Sequence, residues 1–434
     1  MRGLADHAGL GRHLPTLFAA AAGSGAVGLA VSGGADSLAL MLLAHEWARS
    51  APAPRLVVYT VDHGLRPEAE AETAFVMQEA TRLGLAARAL KWIGAKPSVG
   101  LQEAARQARY RLIGDAMRAD GIHLLLTAHH RDDQAETVLM RLAHGSGLEG
   151  LRGMTPIAEV EGVRVFRPLL GVGSDDLRAI VAAAGLTPVA DPSNVDHHYE
   201  RVRWRQALPP LAALGLDSGQ LAQFARRAGE ADAALAQWAE RAFGELVVVD
   251  ALGAARLDRQ ALLALPRAVG HKVLGRVIAL AGGGQRPRAL RAIERLHDRL
   301  AAEPAFAGAT LLGTALRQRG EALWISREPG RSSAAPTMIG ASQTLLWDRR
   351  FTIANGAGNG PISVRMAREL SRAQAERLLG RVLIAPAAAI KAAPLITNGD
   401  GQVIALGGYR LDEAVSIGVV GAPTLTSAGN VTAN

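Results

Sequence analysis

No cysteine occurs among the 434 residues. That absence excludes disulfides, thiolate metal sites and any mechanism built on a cysteine nucleophile or a persulfide. An uninterrupted run of about 18 apolar residues is also missing, so nothing reads as a membrane span. The first stretch, Met1 to Gly28, carries Asp6 and several His and Arg among small residues and lacks the apolar core of a signal peptide. A soluble, cytoplasmic protein with no membrane partner is expected. There is no Gly-Lys-Ser/Thr string, hence no Walker loop, and no internal repeat.

Against these absences stand 49% apolar residues and a length that favours two or three domains. The formal charge of +8 points to a polyanionic partner, because clustered Lys and Arg release counterions from nucleic acid. A codon bias that places Arg wherever Lys would serve explains the charge equally well.

From Gly28 to about Leu170, short apolar runs alternate with longer helical patterns. Strands are expected at Gly28–Val31, Leu56–Val61, Ala86–Trp92, His123–Thr127 and Val163–Leu169, and helices at Ser37–Arg49, Glu68–Leu83, Leu101–Ala119, Asp132–Ala143 and Asp175–Ala184. The strands lack polar alternation, as in a parallel sheet covered on both faces. A doubly wound α/β domain follows, with ligands beyond the carboxyl ends of its strands. After Asp191-Pro192-Ser193-Asn194 and Pro209-Pro210 the chain turns Ala-, Leu- and Arg-rich. Three domains are therefore expected: an α/β domain over 1–210, a mainly helical one over 211–330 ending in a hairpin at Ala309–Arg327, and a small β-rich region over 331–434 with a loose tail after Val420.

The string Ala30-Val31-Ser32-Gly33-Gly34-Ala35-Asp36-Ser37-Leu38 falls where the first strand ends and the first helix begins. Small residues let backbone N–H groups close on an anion, the helix start adds positive potential, and two seryl hydroxyls can donate to phosphate oxygens. A Gly-turn with Asp36 or Ser37 as helix cap is the plain alternative. Val61-Asp62-His63-Gly64-Leu65-Arg66, at the second strand's end, suits ordinary turn chemistry. At a further strand end stands Thr127-Ala128-His129-His130-Arg131-Asp132-Asp133-Gln134-Ala135-Glu136. Two His and two Asp suggest proton transfer or recognition of an ammonium group, while Asp133 and Glu136 have capping-box spacing. Zinc fits poorly, since adjacent histidines rarely aim at one ion.

Ser32 to Ser37 resembles the SGGxDS signature of the pyrophosphate-loop ATPases, which cleave ATP to AMP and diphosphate and share an adenine nucleotide alpha-hydrolase-like fold. Val61–Arg66, Gln102–Arg106 with Arg109-Tyr110, Gly145–Leu148, Arg167–Leu170 and Asp191–Asn194 follow in the order that tRNA(Ile)-lysidine synthases show. The departures are His144, where that family usually has Arg, and Trp204, where an aliphatic is common. The resemblance implies an ATP-dependent ligase that joins L-lysine to C2 of the wobble cytidine in the CAU anticodon of tRNA(Ile), changing its codon from AUG to AUA, and it leaves a homodimer open. It implies ATP held by Ser32, Gly33, Gly34, Ala35, Asp36 and Ser37, with Mg²⁺ at Asp36, the lysine ammonium at Asp133, and His129 sharing in proton transfer. Arg106, Arg109, Arg201, Arg203 and Arg205, with Arg226-Arg227 and the Arg286–Arg295 cluster, are assigned to the tRNA backbone, although a solvated helix face explains any one of them. Thiolation enzymes and glutamine amidotransferases need cysteines that this chain lacks. Another pyrophosphate-loop ligase and a non-catalytic nucleotide- or RNA-binding module are the competing readings.

Overall fold

The computed structural model describes residues 4–50, 54–189, 196, 198–284, 289–331 and 335–421. The expected tail after Val420 lies almost wholly outside them, as does Asp191–Asn194. The chain divides into two compact units, Met1–Asp232 and Ala233–Asn434.

The first unit is built on a six-stranded sheet in the order β3-β2-β1-β4-β6-β5. Its strands are β1 (Ala26–Ala30), β2 (Arg55–Asp62), β3 (Ala86–Lys91), β4 (Leu125–Leu126), β5 (Ile157–Val160) and β6 (Val163–Phe166). All are parallel except β5, which turns back along β6. All five expected strands are present. β4 is shorter than expected, and β5 is an addition that no continuous apolar run announces.

Leu56-Val57-Val58-Tyr59 shows why the apolar runs are continuous. Leu56 and Val58 pack with Leu38 and Leu42 of the Ala35–Ser50 helix on one face. Val57 and Tyr59 pack with Tyr110, Ile113 and Met117 of the Leu101–Ala119 helix on the other. Period-two alternation thus splits the run between two layers. A polar residue at Val58 would forfeit about 1.5–3 kcal/mol of burial before its own desolvation is counted. Gly28 is required in β1, because a Cβ there would lie 2.8 Å from the Tyr59 ring.

Strands β2 and β3 lie on one side of β1, and β4 and β6 on the other. The winding reverses between β1 and β4, and their carboxyl ends open a crevice there. The helix Glu200–Ala213 runs through Pro209-Pro210, so the chain does not break where the double proline suggested.

The mainly helical character expected over 211–330 is present, with short strands added to it. Helices Arg267–Gly282 and Leu290–Ala302 are present, but with them is an antiparallel sheet in the order β7-β8-β11-β10-β9. The expected hairpin forms its centre, β10 (Thr314–Arg319) and β11 (Ala322–Arg327), flanked by β9 (Ala309–Leu311) and β8 (Ala255–Asp258), with β7 (Val248–Val249) outermost. Strands of two and four residues among Ala, Leu and Arg leave no period-two signal that outweighs the helical one. Beyond residue 335 the chain forms two more antiparallel sheets, of five and three strands, as the β-rich reading expects.

His271 and His297 meet edge to face, ring centroids 4.8 Å apart, and His271 Nε2 with both His297 nitrogens lack a hydrogen-bond partner. Burial lowers both pKa values; Asp298 works against it and Arg267 adds to it, without changing the direction. The unfolded chain therefore binds protons that the folded one refuses, so stability present above about pH 6.5 is lost as the pH falls toward the depressed folded values. The melting temperature should drop between pH 7.5 and 5.5, and His297→Leu should flatten that dependence. An equally steep dependence in the variant would acquit the pair.

Candidate active site

The loop after β1 closes on its own serines. Ser37 Oγ donates to the Gly34 carbonyl at 2.9 Å and accepts from the Ser32 N–H at 3.1 Å. Ser37 is buried and spends its hydroxyl on the shape of the loop, whereas Ser32 is exposed. Gly33 sits at φ +86°, and a Cβ there would press on Val189 at 3.0 Å; at Gly34 a Cβ would meet nothing nearer than Ser32 Oγ at 3.8 Å. The mouth is open and lined by the start of the Ala35–Ser50 helix, whose first N–H groups have no partner within the helix. Such a cradle fits a polyphosphate.

Across the crevice, the segment after β4 enters the Arg131–Ala143 helix. A capping box is present there, one turn earlier than the Asp133/Glu136 spacing suggested. His130 is the N-cap: its Nδ1 accepts from the Asp132 N–H at 3.2 Å, and Asp133 Oδ2 accepts from the His130 N–H at 3.0 Å. The same imidazole presents Nε2 at 3.5 Å from both Asp36 Oδ2 and Asp133 Oδ2. Sequence reasoning placed His129 in the chemistry and left His130 out; its position three residues before Asp133, at a helix start, was the available signal. Burial works against a charged His130, yet the hydrogen bond to Asp36 and the charges of Asp133, Asp36 and Asp132 outweigh it and raise its pKa. The cap bond, which needs an unprotonated Nδ1, opposes protonation.

His129 lies beside it with Nδ1 2.9 Å from Thr127 Oγ1. Burial, with Arg167, Arg201 and Arg106 nearby, lowers its pKa to about 4 against the pull of Asp133. The basicity expected from the reference value of about 6.5 is therefore reduced. Asp133 is nine-tenths buried and accepts from Arg201 Nη2 at 2.7 Å. Burial would raise its pKa, but Arg201, His130 and His129 hold it below the usual value.

Glu136, 0% exposed, takes Arg201 Nε at 2.5 Å and Arg205 Nε at 2.7 Å. Two of the arginines assigned to tRNA are thus engaged by a buried carboxylate, although 40% and 45% exposed, and fasten the Glu200–Ala213 helix. Arg203, Arg106 and Arg109 remain exposed, Arg106 over the Tyr110 ring and Arg109 against His63. Asp62 is buried and accepts from the Gly64 N–H at 2.7 Å, which is turn chemistry. Asp132 accepts from the Ser174 N–H at 3.1 Å, at the start of another helix. His144, the departure before Gly-Ser-Gly, lies 3.0 Å from Glu200. No group of three or more His, Asp or Glu able to cage a metal occurs among the described residues. A magnesium ion here would rely on the half-exposed Asp36 together with phosphate oxygens, its usual mode.

A serine- and glycine-built loop opening a helix at a sheet's switch point, facing carboxylates rather than a Walker lysine, defines a pyrophosphate-loop ATP-binding protein. The family model described as a PP-loop domain matches residues 10–212. A tRNA(Ile)-lysidine synthase of Methylobacterium nodulans is 47% identical over 317 residues, covering 71% of this chain and 92% of that protein. Another, from Ruegeria pomeroyi, is 35% identical over 384 residues, covering 87% and 88%. Among solved structures, a U34-tRNA thiolase from Methanococcus maripaludis has a TM-score of 0.45 at 16% identity, covering 52% of this chain and 79% of that one. The chain belongs to the tRNA(Ile)-lysidine synthase family.

Proposed function

We propose that this protein joins L-lysine to C2 of the wobble cytidine in the CAU anticodon of tRNA(Ile), at the expense of ATP and in the cytoplasm. The observation that carries the reading is the meeting, at the β1/β4 switch point, of the phosphate loop and Asp36 with His130 and Asp133, in a chain of this family. A cytosine C2 carbonyl is a poor electrophile. The C2 oxygen takes the adenylyl group with release of diphosphate, the lysine ε-amine attacks C2, and AMP leaves with that oxygen.

In this scheme Ser32 and the N–H groups of Gly33, Gly34, Ala35 and Asp36 hold phosphate, while Ser37 fixes the loop around it. Asp36 carries Mg²⁺, which neutralises phosphate charge. Asp133 receives the lysine ammonium: a carboxylate accepts about four hydrogen bonds, and Arg201 with the His130 N–H takes two. His129, neutral across the physiological range, passes the amine proton on rather than storing it. Residues 1–210 supply catalysis and 211–330 bind tRNA. Arg106, Arg109 and Arg203 face the RNA backbone, and Arg201 and Arg205 serve it indirectly through the helix they fasten.

Incorporation of labelled lysine into a tRNA(Ile) transcript with a CAU anticodon tests the function, and no incorporation with ATP and Mg²⁺ present would sink it. Asp133→Asn should raise the lysine requirement while diphosphate release on tRNA persists; an unchanged lysine titration would remove Asp133 from lysine binding. Affinity for tRNA should fall with salt at a log–log slope of roughly −0.7 to −0.9 per neutralised phosphate. Salt-independent binding would count against backbone contacts.

A further inference from the structure

His130 has two nitrogens with different duties. Its Nδ1 accepts the Asp132 N–H, and in a neutral imidazole an accepting Nδ1 leaves the proton on Nε2. That Nε2–H lies 3.5 Å from a carboxylate oxygen of Asp36 and 3.5 Å from one of Asp133. The imidazole is 5% exposed, so its orientation is set by packing and by the cap. Asp133 is held on its other oxygen by Arg201, whereas the Asp36 side chain is 44% exposed. Of the two carboxylates facing this donor, Asp36 is the one free to swing away, and repulsion from Asp133 would drive it toward solvent.

We propose that His130 is a positioning residue: its Nε2–H bridges Asp36 and Asp133 and keeps the Asp36 carboxylate turned toward the phosphate loop. The inference rests on the metal role given to Asp36 above and goes further, since it ties the magnesium ligand to the lysine-binding carboxylate through one side chain. Loss of a hydrogen-bonding partner behind a metal ligand commonly costs 10–100-fold in metal affinity.

The two duties separate by substitution. Asn reproduces the cap acceptor and caps helices well, but it is too short to reach Asp36. Gln places an amide N–H near the Nε2 position and leaves the cap position empty. The full chain is titrated calorimetrically with a non-hydrolysable ATP analogue at a series of Mg²⁺ concentrations, and melted without nucleotide. His130→Asn should melt like the wild type yet need at least about tenfold more Mg²⁺ for half-maximal nucleotide binding. His130→Gln should melt lower and keep the wild-type Mg²⁺ requirement. A wild-type requirement in the Asn variant, or a raised one in the Gln variant, overturns the proposal. If the Asn variant does not fold, His130→Ala, which lacks the cap as Gln does, takes its place: a requirement raised about tenfold supports the bridge and a wild-type one overturns it. The assay needs neither tRNA nor lysine. A wild type that binds the magnesium nucleotide but makes no lysidine overturns the function and leaves this inference standing; one whose nucleotide binding ignores Mg²⁺ overturns the inference.

Discussion

Asp36→Ala should abolish lysine incorporation and diphosphate release while leaving the melting temperature almost unchanged. The side chain is 44% exposed at the loop mouth and supports no core. Its structural worth is that of an acid in a first helical turn, about 0.3–1 kcal/mol. A cation that neutralises phosphate charge supplies several kcal/mol to the transition state, and losing about 4 kcal/mol slows a reaction roughly a thousandfold. Asp36→Asn keeps the shape and removes the charge, so it should be nearly as inactive. Diphosphate release within tenfold of wild type, or a melting transition that disappears, would each show that Asp36 does not carry the metal.

Replacing both Arg201 and Arg205 by Met should destabilise the first unit far more than replacing the Glu136 they share. Without them the fully buried Glu136 carboxylate is left uncompensated, at a cost of about 3–5 kcal/mol, and buried Asp133 loses its Arg201 partner as well. Without Glu136, Arg201 keeps Asp133 and Arg205, 45% exposed, turns to water, and about 1–2 kcal/mol is a fair expectation. The sign with pH is distinctive. In the double variant the buried negative charge has no partner, so the deficit should be largest at neutral pH and shrink in acid, where carboxylates are neutralised. Chemical unfolding of both variants at pH 7.5 and 4.5 reads this directly. Equal losses at both pH values would mean that packing, not the buried charge, holds the Glu200–Ala213 helix.

The parallel sheet and the phosphate loop were legible because both are local. Apolar runs mark β1 and β2, and Ser32–Ser37 must follow the first of them. Residues Thr127–Glu136 were legible as a site but not in their roles, since partners such as Arg201 lie more than sixty residues away in sequence and nothing local separates a carboxylate facing solvent from one facing an arginine. The pairing of Arg201 and Arg205 with Glu136 is hidden for the same reason. His130 was passed over because a histidine is an uncommon N-cap, and the Asp133/Glu136 spacing offered a more familiar box. β7 and β8 were missed because short strands are defined by what pairs beside them, here β11 beside β8 and β8 beside β7, rather than by their own composition.

The pairing of Gly28 with Leu125 sets a timetable. The two lips of the crevice are translated about a hundred residues apart, which at ~5–20 residues per second is roughly 5–20 s. During that interval β1 can join β2 and β3, but its other edge stays open, and Asp36 has no His130 beside it. Nascent chains should therefore pass through a stage with an unpaired parallel edge, the kind of surface that chaperones cover, and acquire nucleotide affinity only after β4 has left the ribosome.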